Sequence, residues 1–313
     1  MHICFDIRKV DFQAFVKPVV TLGSFDGVHL GHQAIIKRLI EKSKEKNRVG
    51  VVVTYEPHPQ SVVAPHDAPG ILTTLEEKLK LLEELGVEET VVMNFDEQLS
   101  EYSAEEFVEK ILVRKLNVGD LVVGYDHAFG KNRAGKIDLL KETASEYNFG
   151  LEVVSALQVD GIRVSSTRIR KELEAREFAK AKCLLGHSFP ISGTVIRGRG
   201  RGKSLGYPTL NLQVPSNKLL PQDGVYSVRV QLEGKTYVGM MYVGPKLTFG
   251  ENTRSVEVHV FGLEKEASGF RVELFVENWF RGPKKFADPE HLKDQLKSDE
   301  KKVKEMFRID SSN

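Results

Sequence analysis

The stretch TLGSFDGVHLGHQAII, residues 21–36, passes directly from a strand pattern into a helix pattern. Its apolar start is typical of a buried strand, and its apolar residues from Leu30 onward recur at helical spacing. Two histidines, His29 and His32, stand at the junction three residues apart, so on a helical turn they share one face. The stretch predicts a strand, a glycine-containing turn and a helix that begins beside two imidazoles.

Strand and helix patterns alternate along the first part of the chain. The strand patterns are VVTLGSF (19–25), VGVVVTY (49–55), TVVMNF (90–95), DLVVGYD (120–126) and LEVVSAL (151–157). Helix patterns separate them, and Ser103 with Glu106 has the spacing of a capping box, as does Thr74 with Glu77. Valine-rich strands between amphipathic helices are typical of a parallel sheet covered on both faces. This part of the chain predicts a Rossmann-like, doubly wound α/β domain.

The pattern changes after residue 186. Short strand patterns with glycine-rich connections follow at ISGTVIRG (191–198), GVYSVRVQLEGKTYVGMMYVG (224–244), SVEVHVFGL (255–263) and FRVELFVENWF (270–280). The segment LEGKTY is typical of a hairpin turn. We expect an antiparallel barrel or sandwich and a last helix from Pro289 to Phe307, capped by Asp288. The predicted domains are residues 1–186 and 187–313.

Composition and charge exclude several classes of protein. The 45 Lys and Arg residues nearly balance the 44 Asp and Glu residues, which argues against a nucleic-acid partner or a membrane surface. The two cysteines, Cys4 and Cys183, form neither a disulfide framework nor a metal-ligand spacing. No signal peptide and no apolar run of membrane-spanning length is recognisable. We expect a cytoplasmic protein, and the sequence leaves its oligomeric state open.

Four polar segments follow the strands of the first domain. They are GSFDGVHLGH (23–32), EPHP (56–59), GYDHAFGKNRAG (124–135) and VSSTRIR (164–170). In open α/β sheets, ligands bind beyond the carboxyl ends of the strands. Because all four segments fall at that edge, they predict a binding site more specifically than any one of them does.

The two histidines favour chemistry at a phosphate. A helix N-terminus attracts anions through its free N–H groups and its dipole. Imidazole donors from His29 and His32 add to that field, which favours transfer at a nucleotide phosphate by positioning and electrostatics. The SSTRIR segment offers hydroxyls, helix N–H groups and Arg168 as a second anion site. The alternative, a metal held by both histidines, has no third ligand nearby in the sequence.

The other segments each have a plain structural alternative. EPHP by itself is more often a rigid turn than a binding site. Asp126 by itself is typical of a helix cap, and SSTRIR of an N-cap followed by a solvated arginine. A functional interpretation therefore depends on the coincidence of the segments.

The segment GRGRGKSLGYPTLNL, residues 198–212, resembles a phosphate-binding P-loop only in part. A P-loop with this Gly-Lys pair needs a glycine at position 197, which is Arg197, and Pro208 prevents the helix that must follow. A basic, glycine-rich loop can nevertheless hold a triphosphate through backbone N–H groups. The alternative is an RNA-binding arm, although the segment is short and lacks interleaved aromatic residues.

Residues for a kinase-type reaction follow this loop. Thr209 and Asn211 are two residues apart, so on an extended segment their oxygen atoms point the same way, an arrangement that suits Mg²⁺ with nucleotide phosphates. In SVEVHVF, Glu257 and His259 share one strand face, and Glu257 is the better candidate base for an alcohol. The alternative for Glu257 is an ordinary solvent-facing strand residue.

Taken together, these motifs resemble the bacterial bifunctional riboflavin kinase/FMN adenylyltransferase family over nearly the whole chain. GSFDGVHLGH is similar to the HxGH signature of nucleotidyltransferases, and TYEPHP, LTTLEEKLKLLEELGV, VGYDHAFGKNRAG and VSSTRIR resemble the rest of the family's N-terminal module. GRGRGKSLGYPTLNL, KLLPQDGVYSVRV and VEVH resemble its riboflavin kinase module. The resemblance implies a Rossmann-like domain followed by a small antiparallel β-barrel with a C-terminal helix.

The resemblance also implies two activities and their substrates. The C-terminal half would phosphorylate riboflavin with ATP to give FMN. In the N-terminal half, the FMN phosphate would attack the α-phosphate of a second ATP to give FAD and pyrophosphate. Both steps would require Mg²⁺. The alternative is an FMN adenylyltransferase alone, with a barrel that binds flavin without turning it over.

The same resemblance assigns residues to these sites. The ATP site of the N-terminal half would comprise Gly23, Phe25, His29, His32, Ser165, Ser166, Thr167 and Arg168, with flavin contacts from Asp126, Phe129 and Arg133. The kinase half would bind ATP through Gly198, Gly200, Lys203, Thr209 and Asn211, bind the metal through Thr209 and Asn211, and use Glu257 as the base. The chain departs from the family at His127, where Phe is usual, at Leu247, where Pro is usual, and after Phe261.

Overall fold

The chain forms two compact units. The computed structural model describes residues 1–7, 16–198, 201–246, 251–264 and 267–308. One unit comprises Met1–Ile71 and Leu75–Ser166, and the other comprises Leu72–Thr74 and Thr167–Asn313. Each unit has its own β-sheet structure.

A six-stranded parallel sheet forms the centre of the first unit. Its strands are β1 His2–Phe5, β2 Val19–Leu22, β3 Gly50–Glu56, β4 Glu89–Asn94, β5 Asp120–Gly124 and β6 Gly150–Val154. Their order across the sheet is β1-β4-β3-β2-β5-β6, and every adjacent pair is parallel. Successive strands are added to one side of β2 and then, from β5 onward, to the other. Such a switch point is where open α/β sheets bind ligands.

Helices cover both faces of this sheet. They are α1 Leu30–Lys46, α2 Pro59–Val63, α3 Leu75–Glu84, α4 Glu97–Ser100, α5 Ala104–Phe107, which continues as a π-helical segment Val108–Lys115, and α6 Ile137–Tyr147. Val51 and Val53 on β3 pack in one core cluster with Leu112, whereas Val52 between them packs in a second cluster with Ile36. Because alternate residues of a strand point to opposite faces, this division shows two apolar layers. The predicted doubly wound, Rossmann-like fold is confirmed.

Local signals explain where some of these elements begin. The predicted capping box at the start of α5 is present, since the Glu106 N–H donates to Ser103 Oγ at 3.1 Å and the Ser103 N–H donates to Glu106 Oε2 at 3.0 Å. The features that were not predicted include edge strand β1 and a small hairpin of β7 Gln158–Val159 and β8 Ile162–Arg163. Strands this short show no hydrophobic period, and pairing with neighbours decides them.

A closed antiparallel barrel forms the second unit. Its strands are β9 Phe189–Ile196, β10 Leu210–Gln213, β11 Gly224–Leu232, β12 Lys235–Lys246, β13 Glu251–Val260 and β14 Arg271–Arg281, in the order β10-β13-β12-β11-β14-β9. The helices are α7 Ser166–Glu174, which begins at the last residue of the first unit, α8 Phe178–Leu185, α9 Arg201–Ser204 and α10 Pro289–Met306. The predicted barrel with its C-terminal helix is confirmed. Within the described ranges, no helix combines the length and the apolar character that crossing a bilayer requires.

Two predicted details of the barrel unit are present. The turn between β11 and β12 consists of Glu233 and Gly234, whose φ angles of 49° and 73° are those of a tight hairpin turn. Helix α10 is capped by Asp288, whose Oδ1 accepts a hydrogen bond from the His291 N–H at 3.0 Å. A buried carboxylate, Asp299, lies one helical turn before the buried Val303 of α10, and it pairs with Arg281 at 2.8 Å.

Candidate active sites

A strained turn joins β2 to α1 in the first unit. Phe25, Gly27 and Val28 have φ angles of 45°, 86° and 39°, and the Val28 N–H donates to the Phe25 carbonyl at 3.1 Å. Positive φ is unfavourable for Phe and especially for β-branched Val, so burial must hold these residues in place. Phe25 is 2% exposed and Val28 is fully buried. The turn is thus anchored by two core side chains, and the next residue along the chain is His29.

The two histidines lie against each other at the start of α1. His29 is the N-cap residue, and its Nδ1 accepts a hydrogen bond from the His32 N–H at 3.2 Å. The two rings are stacked with their centroids 3.6 Å apart, which agrees with the predicted shared face. A side chain on Gly31 would place its Cβ 3.2 Å from Cε1 of His29, so the glycine between them leaves room for the stack. Because Nδ1 of His29 accepts, the proton of its neutral form is on Nε2.

His32 is held in its neutral form. Its Nδ1 is buried and, among the described residues, has no hydrogen-bond partner. Burial lowers the pKa of His32 well below its ordinary value, and the neighbouring His29 and Lys78 lower it further. At neutral pH this site therefore offers an uncharged imidazole, which can donate one hydrogen bond.

Lys78 on α3 is a site residue that the sequence analysis missed. It is 4% exposed, and its Nζ donates to Thr54 Oγ1 at 3.0 Å. The Thr54 hydroxyl in turn donates to the carbonyl of Ser24, in the strained turn, at 3.2 Å. Burial lowers the pKa of Lys78, and the carboxylates of Asp26 and Glu56 partly offset that effect. A signal was available, since Lys78 lies four residues before the buried Leu82 and thus on the apolar face of α3.

The first residue of α7 also contacts the strained turn. Ser166 Oγ donates to the Asp26 carbonyl at 2.9 Å. Thr167 and Arg168 belong to the second compact unit, in which Arg168 pairs with Glu172 one helical turn later. The structure therefore brings Ser166 to the turn that carries His29.

The EPHP segment contains a helix-capping histidine and a half-buried carboxylate. His58 caps α2, because its Nδ1 accepts a hydrogen bond from the Gln60 N–H at 3.2 Å. Glu56 is half-buried, and burial raises the pKa of its carboxyl, an effect that Lys78 partly offsets. His58 thus has a structural role, while Glu56 contributes to the charge around Lys78.

The loop after β5 carries the three residues predicted for flavin. Asp126 and Arg133 are exposed, whereas Phe129 is 7% exposed and packs against Phe107 with ring centroids 5.6 Å apart. His127 stacks on Phe129 with ring centroids 5.7 Å apart, so this departure from the family retains an aromatic contact. Burial lowers the pKa of His127 to about 4, and the charge of Arg133 contributes. Phe129 anchors the loop, and the two charged residues are accessible.

In the barrel unit, Thr209, Asn211 and Glu257 converge. Asn211 on β10 lies directly opposite Glu257 on β13, and Thr209 Oγ1 donates to Glu257 Oε2 at 3.4 Å. Val256 and Val258, on the other face of β13, are buried in the barrel core. The predicted alternation is confirmed. The structure thus brings Glu257, which lies far along the chain, to the same patch of the barrel surface as the neighbouring Thr209 and Asn211.

The glycine-rich segment packs closely on this patch. A Cβ on Gly198 would lie 2.1 Å from Asn211 Nδ2, and a Cβ on Gly202 would lie 2.2 Å from the Tyr207 carbonyl oxygen. Position 202 therefore needs glycine, because backbone lies against it, whereas a side chain at position 198 would displace the side chain of Asn211. Lys203 is exposed on the four-residue helix α9, and Gly200 lies outside the described residues. Leu247 lies outside them too.

His259, on the same strand face as Glu257, forms a hydrogen bond with the protein backbone. Its Nδ1 lies 2.8 Å from the carbonyl oxygen of Pro208. A carbonyl only accepts hydrogen bonds, so Nδ1 carries a proton and donates it to this bond. His259 thus holds the backbone before Thr209, and Glu257 remains the candidate base.

Comparison with known proteins identifies the family. The FAD synthetase family model matches residues 12–168, and the riboflavin kinase model matches residues 185–307. The bifunctional riboflavin kinase/FMN adenylyltransferase of Buchnera aphidicola subsp. Schizaphis graminum is 36% identical over 294 residues, which cover 93% of this chain and 94% of that protein. The enzyme of the same name from Escherichia coli strain K12 is 35% identical over 93% of each chain.

A solved structure has the same fold. It is a Streptococcus pneumoniae protein described as a macrolide-efflux protein, with a TM-score of 0.83 and 28% identity over 97% of this chain and 99% of that one. Both family models and the curated relatives agree with the motifs and with the two folds. The chain therefore belongs to the bifunctional riboflavin kinase/FMN adenylyltransferase family.

Proposed function

We propose that this chain phosphorylates riboflavin with ATP to FMN and then adenylates FMN with ATP to FAD and pyrophosphate. The observation that carries the proposal is a separate cluster of polar side chains in each compact unit, one around His29 and His32 and one around Thr209, Asn211 and Glu257. We assign adenylyl transfer to residues 1–186 and the kinase to residues 187–313. Family membership supports both assignments. We expect the enzyme to work in the cytoplasm, where ATP is supplied.

Adenylyl transfer needs charge stabilisation rather than a covalent intermediate. A phosphate oxygen of FMN attacks the α-phosphorus of ATP, and the bond from that phosphorus to the pyrophosphate oxygen breaks. His29 can donate through Nε2 as charge develops on the phosphates, and neutral His32 adds a second imidazole. The N–H groups at the start of α1 add their partial positive charge. Among the remaining proposed ATP contacts, Gly23 and Phe25 shape the turn.

We propose further contacts for this reaction. The remaining ATP contacts are Ser165, Ser166, Thr167 and Arg168. Asp126 and Arg133 are accessible to FMN, and Phe129 positions the loop that carries them. The lysine that the sequence analysis missed, Lys78, supports the turn before His29 through Thr54.

The kinase reaction needs a base and a place for the nucleotide. Glu257 accepts the proton of the terminal ribityl hydroxyl while that oxygen attacks the γ-phosphorus of ATP, and the bond to the β-phosphate oxygen breaks to release ADP. Gly198, Gly200 and Lys203 approach the phosphates from the glycine-rich segment. A residue that accepts this proton must reach the alcohol, and Glu257 lies on the outer face of β13 beside Thr209.

The donor atoms at this site fit a hard divalent cation. Enzymes that use ATP in this way generally need such a metal. Thr209 and Asn211 supply a hydroxyl and an amide oxygen, which suit Mg²⁺ together with the nucleotide phosphates. Within the described ranges, no group of three or more His, Cys, Asp and Glu side chains could hold a metal by itself. We propose that Thr209 and Asn211 hold Mg²⁺, which would neutralise phosphate charge.

A time course of flavins with purified protein, riboflavin, ATP and Mg²⁺ tests both assignments. We expect FMN to form first and FAD to follow. A chain that leaves riboflavin unchanged but converts added FMN to FAD would contradict the kinase assignment. The double variant His29→Ala, His32→Ala should lose FAD formation and retain FMN formation, and an unchanged rate of FAD formation would contradict the adenylyl-transfer assignment.

A further inference from the structure

We propose that the C-terminal helix α10 positions the kinase site through Glu300, which holds the Tyr207–Pro208 backbone and thereby sets where Thr209 lies. The proposal rests on the proposed kinase function. Glu300 and Tyr207 are positioning residues in this scheme, since neither is placed against a substrate.

A side-chain contact links the helix to the segment before Thr209. The Tyr207 hydroxyl donates to Glu300 Oε2 at 3.0 Å, and Lys304, one helical turn further along α10, pairs with Glu300 at 2.8 Å. Burial raises the pKa of Tyr207 to about 12, and the Glu300 carboxylate raises it too. Tyr207 therefore remains a hydrogen-bond donor at neutral pH.

The carboxyl group of Glu300 is ionised at neutral pH. Burial raises the pKa of its carboxyl, but hydrogen bonds from Lys304 and Tyr207 outweigh that effect, so the pKa is lowered overall. A charged acceptor makes the bond from Tyr207 stronger than a neutral one would. Helix α10 thus presents a fixed carboxylate to the barrel.

The backbone around Tyr207 is held from two further directions. The Tyr207 N–H donates to the Gly202 carbonyl at 2.8 Å, which closes the turn after α9. The next carbonyl, that of Pro208, accepts from Nδ1 of His259 at 2.8 Å. The His259 ring also meets the Tyr207 ring edge-on, with centroids 5.1 Å apart. Three hydrogen bonds and one ring contact therefore fix two consecutive residues, and of these four the bond to Glu300 comes from outside the barrel strands and the glycine-rich segment.

The fixed segment ends at the residue proposed to serve the metal and the nucleotide. Thr209 follows Pro208 directly, and its Oγ1 lies 3.4 Å from Glu257 Oε2. A displacement of Tyr207 would pass along the chain to Thr209, because a proline between them restricts backbone rotation. Misplacing a positioning group by about 1 Å can slow a reaction by about 100-fold.

The experiment compares Tyr207→Phe, Glu300→Ala and the double variant by steady-state kinetics. Phe keeps the ring and removes only the hydroxyl. We expect each single variant to lower kcat/KM for riboflavin phosphorylation, or to raise KM for MgATP, by about tenfold, as the loss of a partly exposed hydrogen bond to a charged group predicts. The double variant should be about as slow as the slower single variant, since both remove the same bond. Glu300→Gln, which keeps an acceptor, should recover most of the rate.

Two controls separate positioning from a general loss of structure. Glu305→Ala removes an exposed carboxylate of the same helix, which pairs with Lys301 at 3.9 Å, and should leave both activities unchanged. The conversion of added FMN to FAD by the same preparations should also be unchanged.

Three outcomes would overturn the inference. In the first, kcat/KM for riboflavin phosphorylation and KM for MgATP in both single variants stay within twofold of the values of the unaltered chain. The second is a parallel loss of FMN and FAD formation together with a lowered Tm, which would mark a merely structural contact. The third is additive effects in the double variant. If the unaltered chain forms no FMN, the proposed kinase function itself fails, and that result is distinct from the other three.

Discussion

Replacing Lys78 with methionine tests how the first unit presents His29. The variant removes the ammonium that donates to Thr54 Oγ1 at 3.0 Å, while Thr54 holds the Ser24 carbonyl at 3.2 Å. Methionine has nearly the same length and is apolar, so it suits the buried position. The strained turn then loses part of its support, and we expect FAD formation to slow.

The expected magnitude follows from the bond that is lost. Hydrogen bonds to charged groups contribute about 1.5–3 kcal/mol, so kcat/KM for FAD formation should fall by about 10- to 150-fold. The free energy of unfolding should change little, because the variant removes the desolvation cost of the buried ammonium together with its hydrogen bond. A large kinetic effect with a nearly unchanged Tm is therefore the result that distinguishes a role in positioning from a role in folding.

The assay follows FAD formation from FMN and ATP by chromatography. Riboflavin phosphorylation by the same preparation serves as an internal control, and Lys80→Met removes another lysine of α3 as a matched control. A rate of FAD formation within twofold of the unaltered chain would refute the reasoning, since Lys78 would then be a buried lysine without a role in the reaction.

A pH profile provides a second readout for this variant. Burial and the neighbouring His29 lower the pKa of His32 most, and charge repulsion from Lys78 lowers it further. Without the ammonium, the pKa of His32 rises, and the imidazole becomes protonated at a higher pH than in the unaltered chain. In a plot of the rate of FAD formation against pH, the fall in rate at acidic pH should therefore begin at a higher pH in the variant. A fall at the same pH in both proteins would contradict the repulsion between Lys78 and His32.

The other predictions concern the base and two ion pairs. Glu257→Gln should lower riboflavin phosphorylation by about 10²- to 10⁴-fold and leave FAD formation from added FMN intact, as measured by chromatography. Asp299→Ala should lower the free energy of unfolding by about 2–4 kcal/mol in a denaturant titration, because it leaves Arg281 without its buried partner. Hydrogen bonds from Arg38 lower the pKa of Glu152 to about 2, so its stabilising effect is complete above its ordinary pKa of 4.5 and is lost as pH falls toward 2. In the Glu152→Gln variant, Tm should therefore decrease less as the pH falls. An unchanged decrease of Tm would contradict the ion pair between Arg38 and Glu152.

The sequence predicted the elements whose signals are local. Valine-rich strands, the capping box at Ser103 and the turn at Glu233–Gly234 depend on neighbours within a few residues, so they are readable without the fold. Strand β1 could not be predicted, because four residues at a sheet edge show no period and form a strand only by pairing with β4. The buried Asp299 was missed for a similar reason, since its partner Arg281 lies on another element.

The same distinction between local and long-range signals applies to the candidate sites. By itself, the sequence determined the motifs, the pairing of His29 with His32 on one helical turn, and the alternation that turns Glu257 away from the barrel core. Only the tertiary structure decided that Lys78 supports the turn before His29, that Phe129 anchors its loop in the core, and that Glu300 reaches Tyr207. The physical reason is distance along the chain. Spacing within one helix or strand determines local geometry, whereas contacts between elements far apart in sequence exist only after the chain has packed.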